Sequence, residues 1–150
     1  MILPITLTIA GAAALINIWL MIRVGQVRTS EKVSVGDGGN DKVIRRMRAH
    51  ANFGESLPIV LILIAAIELA TGSATWLWVV GGVYMLGRIA HGVGMDGGKL
   101  GKGRMVGTIL TLLITLGLGA YAIAIPYFTF TDASTSPVTV GTDTQLPPQS

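Results

Sequence analysis

Four stretches of the chain are nearly unbroken apolar runs, roughly Ile2 to Val24, Phe53 to Ala70, Trp76 to Val93 and Met105 to Phe128. A hydrocarbon layer of ~30 Å is crossed by about 20 helical residues, and each run approaches or exceeds that length. The pattern predicts an all-α membrane protein, a four-transmembrane-helix bundle over residues 1–130 with helices at about 2–24, 43–71, 75–94 and 104–128. From Thr131 the chain is rich in Thr, Ser, Pro and Gly and loses its apolar period, which predicts a disordered tail over 131–150.

Composition agrees: 51% of residues are hydrophobic, 13% are charged, and the mean hydropathy is +0.64. No positive charge precedes Arg23, so the first run reads as a retained helix and not as a signal sequence. All 11 Lys and Arg lie in or beside the connections between helices one and two and between helices three and four. The positive-inside rule then places both basic loops in the cytoplasm and both termini outside, in what the short loops suggest is a bacterial inner membrane. The net charge of +3 is thereby spent on topology, and nucleic acid is not an expected partner. With no cysteine, disulfides, thiolate metal sites and cysteine nucleophiles are excluded, and thiol chemistry would need a borrowed thiol. Two glycine-rich pieces, at 36–39 and 97–103, lack the strand-loop-helix setting of a phosphate loop and read as turns. Trp76, Trp78, Tyr127 and Phe128 suit the outer interface.

Polar positions inside the apolar runs carry the candidate chemistry. At about 100° per residue, Arg45, Arg48, Asn52 and Glu55 share an arc of about 80°. Arg46 and His50 point elsewhere, toward headgroups, solvent or a neighbouring helix, and Pro58 should loosen the turn holding Asn52 to Glu55. On the third helix Tyr84, Arg88, His91 and Met95 form a second polar face. Glu55 and Arg88 lie at similar depth, about 22 and 18 Å from the outer boundary at ~1.5 Å per residue, and an unpaired charge there costs at least ~2.5 kcal/mol. A buried Arg88–Glu55 ion pair is therefore expected. Arg104 opens the fourth helix, where the peptide dipole favours an anion. Arg48, Asn52 and Glu55 together could grip a zwitterion such as an amino acid or peptide.

At these residues the chain resembles the membrane-associated proteins in eicosanoid and glutathione metabolism, the MAPEG family, over about residues 1 to 128. The resemblance rests on Arg45-x-x-Arg48-Ala49-His50-x-Asn52-x-x-Glu55 with Pro58 following. A second piece, Gly87-Arg88-Ile89-Ala90-His91 with Arg104 beyond it, matches the spacing of the prostaglandin E synthase and microsomal glutathione transferase branch. The resemblance implies a homotrimer and a glutathione co-substrate held between subunits by Arg48, Asn52 and Glu55, with Arg45 and His91 assisting. It implies Arg104 as the catalytic residue that stabilises the glutathione thiolate, for a transferase or peroxidase acting on lipids and other lipophilic electrophiles or hydroperoxides. The family also includes a non-catalytic lipid-binding scaffold, the alternative expectation. Ala51, Met95 and Thr108 depart from that branch, which shifts the expectation from prostaglandin synthesis to general detoxification.

Overall fold

The computed structural model describes residues 2–97 and 101–135, with side chains through residue 128. Four helices follow one another: α1 Pro4–Ser30, α2 Asp41–Thr71, α3 Thr75–Gly94 and α4 Lys102–Thr135, with one 3₁₀ turn at Met95–Gly97. Pro4 sits in the first turn of α1, where its missing N–H costs nothing. Asn40 caps α2 by accepting from the backbone N–H of Lys42 at 2.9 Å. Gly72, at φ 79°, ends α2, a conformation open to glycine without strain.

The helices exceed their apolar runs at the basic end. α1 continues past Val24 to Ser30 and α2 starts at Asp41, because the end of an apolar run marks the edge of the hydrocarbon layer and not the end of the backbone hydrogen-bond ladder. α4 likewise runs through Pro126 to Thr135, into the stretch expected as tail; residues 136–150 lie outside the described residues.

The helices alternate in direction. At one end the first turn of α1 meets the last turn of α2 through Glu68, and at the other Arg23 of α1, Arg46 of α2 and Asp96 after α3 converge. α1 packs mainly on α2, and α3 on α4. Ile5, Ile9, Ala13, Ile16 and Leu20 form the inward stripe of α1, against Phe53, Val60, Ile64 and Ile67 of α2 and Leu77, Tyr84 and Met85 of α3. Leu7, Leu15, Ile62, Leu112 and Leu116 face outward, which is where a membrane-embedded bundle places apolar side chains.

α1, α2 and α4 are long and apolar enough to cross a membrane. α3 is the shorter fourth member, 20 residues or about 30 Å, and buries its polar Arg88 and His91 against its neighbours. Glycine permits the close approach of α3 and α4. A Cβ on Gly107 would stand 2.4 Å from the Gly87 carbonyl oxygen, and one on Gly94 would stand 2.3 Å from the Arg104 nitrogen.

The connection between α1 and α2 is fixed by polar contacts. Glu31 accepts from Lys42 Nζ and Asn40 Nδ2, both at 2.8 Å, and these two contacts hold its carboxyl below the usual carboxylate range. Gly36, Gly38 and Gly39 all take positive φ, as turn residues do. Residues 98–100 of the second glycine-rich piece lie outside the described residues.

Candidate functional site

α2, α3 and α4 enclose a cleft of about 250 Å³ at the level where the apolar runs carry their polar residues. Asn52, Glu55 and Ser56 come from α2, Arg88 from α3, and Thr108, Thr111 and Thr115 from α4. The three threonines are spaced by three and four residues, so they align on one face of α4.

Arg88 is the inner wall of this cleft and is 1% exposed. It donates from Nη2 to Asn52 Oδ1 at 2.6 Å and from Nη1 to Thr111 Oγ1 at 2.8 Å, and its Nε has no acceptor. The expected Arg88–Glu55 ion pair does not form. Depth along a helix fixes only one coordinate, and Asn52 stands one turn from Glu55 on the same face, so its amide oxygen takes the guanidinium first. The second acceptor comes from α4, a helix that matching α2 against α3 leaves out. Glu55 stays exposed on the cleft wall and has no hydrogen-bond partner among the described residues.

Beside Arg88, the Ser56 and Tyr84 hydroxyls are 2.9 Å apart, and Ser56 donates to the Asn52 carbonyl at 3.0 Å. α2 passes through Pro58 unbroken, although Pro58 has no N–H to offer the Gly54 carbonyl. His91, 4% exposed, brings Nδ1 to 3.3 Å from the Arg104 carbonyl oxygen and 3.3 Å from Thr108 Oγ1, while the Thr108 hydroxyl donates to the same carbonyl at 2.9 Å. A proton on Nδ1 satisfies this geometry. His91 thus holds the backbone that presents Arg104 and does not face the cleft itself.

Arg104 is exposed on the first turn of α4 and lines a neighbouring concavity with Met105, Thr108 and Ile109; Thr108 belongs to both. At its far end the cleft shares Leu112 and Thr115 with an apolar groove along α4 that continues past Leu116 to Ile123.

The arginines divide into two groups. Arg23, Arg28, Arg46 and Arg88 all donate to acceptors within the chain. The side chains of Arg45, Arg48 and Arg104 have no hydrogen bond or ion pair among the described residues. Of the sequence-predicted residues, Asn52 and Glu55 share the cleft with Arg88, and Arg104 and His91 stand at its edge. Arg48 is exposed about one turn above Asn52. Arg45 is placed apart, in a second concavity with Val27, Lys42, Arg46 and Asp96. Arg46 pairs with Asp96, and His50 bonds Asn17 of α1 at 2.9 Å, the neighbouring-helix outcome for both.

Sequence reasoning missed Ser56, Thr108 and Thr111 as cleft residues, although the threonine spacing on α4 was a readable signal. It also missed Glu68. That carboxylate is 1% exposed and accepts from the backbone N–H groups of Ile5 at 3.0 Å and Thr6 at 2.8 Å, and from the hydroxyls of Thr6 at 2.7 Å and Ser73 at 2.8 Å. Two of those donors are orphan N–H groups of the first turn of α1, which no side-chain pattern reveals.

The inner membrane protein YecN of Escherichia coli, in strains K12 and CFT073, is 31% identical to this chain over 83 residues. The aligned stretch covers 55% of this chain and 63% of that relative's length. Residues 6–124 match the model of one family, a span that reaches into all four helices and takes in the cleft and Arg104, and the chain accordingly belongs to the MAPEG family.

Proposed function

We propose that the protein is a glutathione-dependent transferase or peroxidase acting on lipophilic electrophiles or hydroperoxides, in general detoxification. The observation that carries this reading is Arg104, whose guanidinium has no acceptor within the described residues while its backbone is fixed by His91 and Thr108 beside a polar cleft. A guanidinium carried on a fixed backbone with its donors free is suited to a thiolate, and it raises the thiolate fraction at neutral pH. Arg48, Asn52 and Glu55 would take the charged ends of the peptide. Glutathione supplies the thiol that this cysteine-free chain lacks. Its thiolate would bond an electrophilic carbon, with loss of the leaving group or uptake of a proton, or attack a peroxide oxygen, breaking the O–O bond to give an alcohol and a sulfenic acid that a second glutathione converts to disulfide and water. The apolar groove joined to the cleft gives such a lipophilic substrate a path from the bilayer. The exposure of Arg48, Glu55 and Arg104 leaves room for a neighbouring subunit, and a homotrimer with sites between subunits fits it. By its likeness to an inner membrane protein and by the positive-inside rule, the chain lies in a bacterial inner membrane with the basic loops cytoplasmic.

A lipid-binding, non-catalytic role is favoured by one observation, the same apolar groove. A glutathione titration that follows thiolate absorbance at several pH values separates the two readings. The enzyme reading expects a thiolate band near neutral pH in the wild type and its loss in Arg104→Ala with the assembly intact. Lipid that copurifies with a protein showing no thiolate band would support the scaffold instead.

A further inference from the structure

The basic end holds a second polar concavity that the cleft does not use. It measures about 130 Å³ and is lined by Val27 of α1, by Lys42, Arg45 and Arg46 of α2, and by Asp96 after α3. Its charges are almost all committed. Asp96 takes both Arg23 and Arg46, Arg46 also donates to the Arg23 carbonyl at 3.0 Å, and Lys42 is paired with Glu31. Four cations, Arg23, Lys42, Arg45 and Arg46, thus stand against two carboxylates, Asp96 and Glu31.

Arg45 is the exception. It is half-buried, its Nε is shielded from solvent, and no acceptor within the described residues reaches any of its donors. With its Nε shielded and no ion pair among the described residues, the Arg45 guanidinium keeps its outer donors open, and its planar fork matches the oxygens of a phosphate. The neighbouring Asp96 does not supply the missing charge, since two arginines already share it.

The location identifies the anion. The concavity lies beyond the ends of the apolar runs, on the end that the positive-inside rule assigns to the cytoplasm, where headgroup phosphates of anionic phospholipids are at the same level. Basic pockets between membrane helices on that side are suited to such headgroups. We propose that this concavity binds the phosphate of an anionic phospholipid headgroup, with Arg45 as its principal donor and Asp96 holding Arg46 and Arg23 in place around it. Arg45 then serves a site distinct from the cleft.

Native mass spectrometry of the full chain in neutral detergent tests this, with phosphatidylglycerol and phosphatidylethanolamine as separate probes. The wild type should retain phosphatidylglycerol preferentially, and Arg45→Ala should reduce that adduct about fivefold, the effect of one basic residue at a lipid surface. Arg45→Gln, which keeps the length of the side chain, should lose the adduct to the same extent, whereas Arg104→Ala should keep it. Equal adducts in the wild type and both Arg45 variants, or no preference for the anionic lipid, would overturn the proposal. Inorganic phosphate that displaces phosphatidylglycerol at equal concentration would also overturn it, by making the site one for free phosphate.

Discussion

The two ends of the bundle treat buried charge in opposite ways. At the end that holds Glu68, one carboxylate meets four donors and nothing is left over. At the basic end six arginines meet few acceptors, and the side chains of three of them, Arg45, Arg48 and Arg104, have none among the described residues. A saturated charge fastens helices together. An unsaturated charge on a rigid backbone is available to a ligand, and Arg104 is rigid because His91 and Thr108 hold its carbonyl. Arg88 stands between the two cases, buried like Glu68 but with its Nε unpaired.

Replacing Glu68 should have the largest effect. Glu68→Leu strands the first-turn N–H groups of α1 along with two hydroxyls, and thermal unfolding in detergent should show a loss on the order of 3 to 5 kcal/mol. An unchanged melting temperature would break the contrast between the ends. Gly107→Val forces a side chain against the Gly87 carbonyl and should destabilise by about 1 to 3 kcal/mol. Because α3 and α4 move apart, it should also weaken the thiolate signal.

Asn52→Ala removes one of the two acceptors of Arg88. A loss of about 1 to 3 kcal/mol is expected, since a buried cation loses its shortest hydrogen bond. Arg104→Ala and Arg48→Ala should each leave stability within about 0.5 kcal/mol, as substitutions of exposed residues without partners do. On the proposed reading, glutathione binding should nonetheless fall in both. A clear drop in melting temperature for either would move that arginine into the structural group.

The smallest effect is one of pH. The folded-state pKa of Glu31 is lowered from its ordinary 4.5 by Lys42 and Asn40. Its contribution is therefore present above about pH 4.5 and is lost as the pH falls through the lowered folded value. Acid unfolding of Glu31→Gln should lack that increment, and hydrogen exchange in the connection between α1 and α2 should report it locally.

Much of this was legible in the sequence. The four apolar runs gave helix number and order, and the 3.6-residue period placed Asn52 and Glu55 on one face. The positions of Lys and Arg gave the basic end. The pairing of charges was not legible. Arg46 meets Asp96 across 50 residues, Arg28 meets the Ser34 carbonyl, and Glu68 meets the N–H groups of Ile5 and Thr6. A backbone acceptor or donor exists at almost every residue and carries no sequence signature. The Arg88–Glu55 expectation failed for a related reason, since equal depth does not give equal azimuth and a third helix supplied the competing acceptor.

By itself, then, the sequence determined that this chain forms a helical membrane bundle with a polar face on its second and third helices, because burial in hydrocarbon is a property of each segment alone. Only the tertiary structure decided which arginines are fasteners and which keep side chains without partners among the described residues, because that depends on the distances between donors and acceptors brought together from different helices.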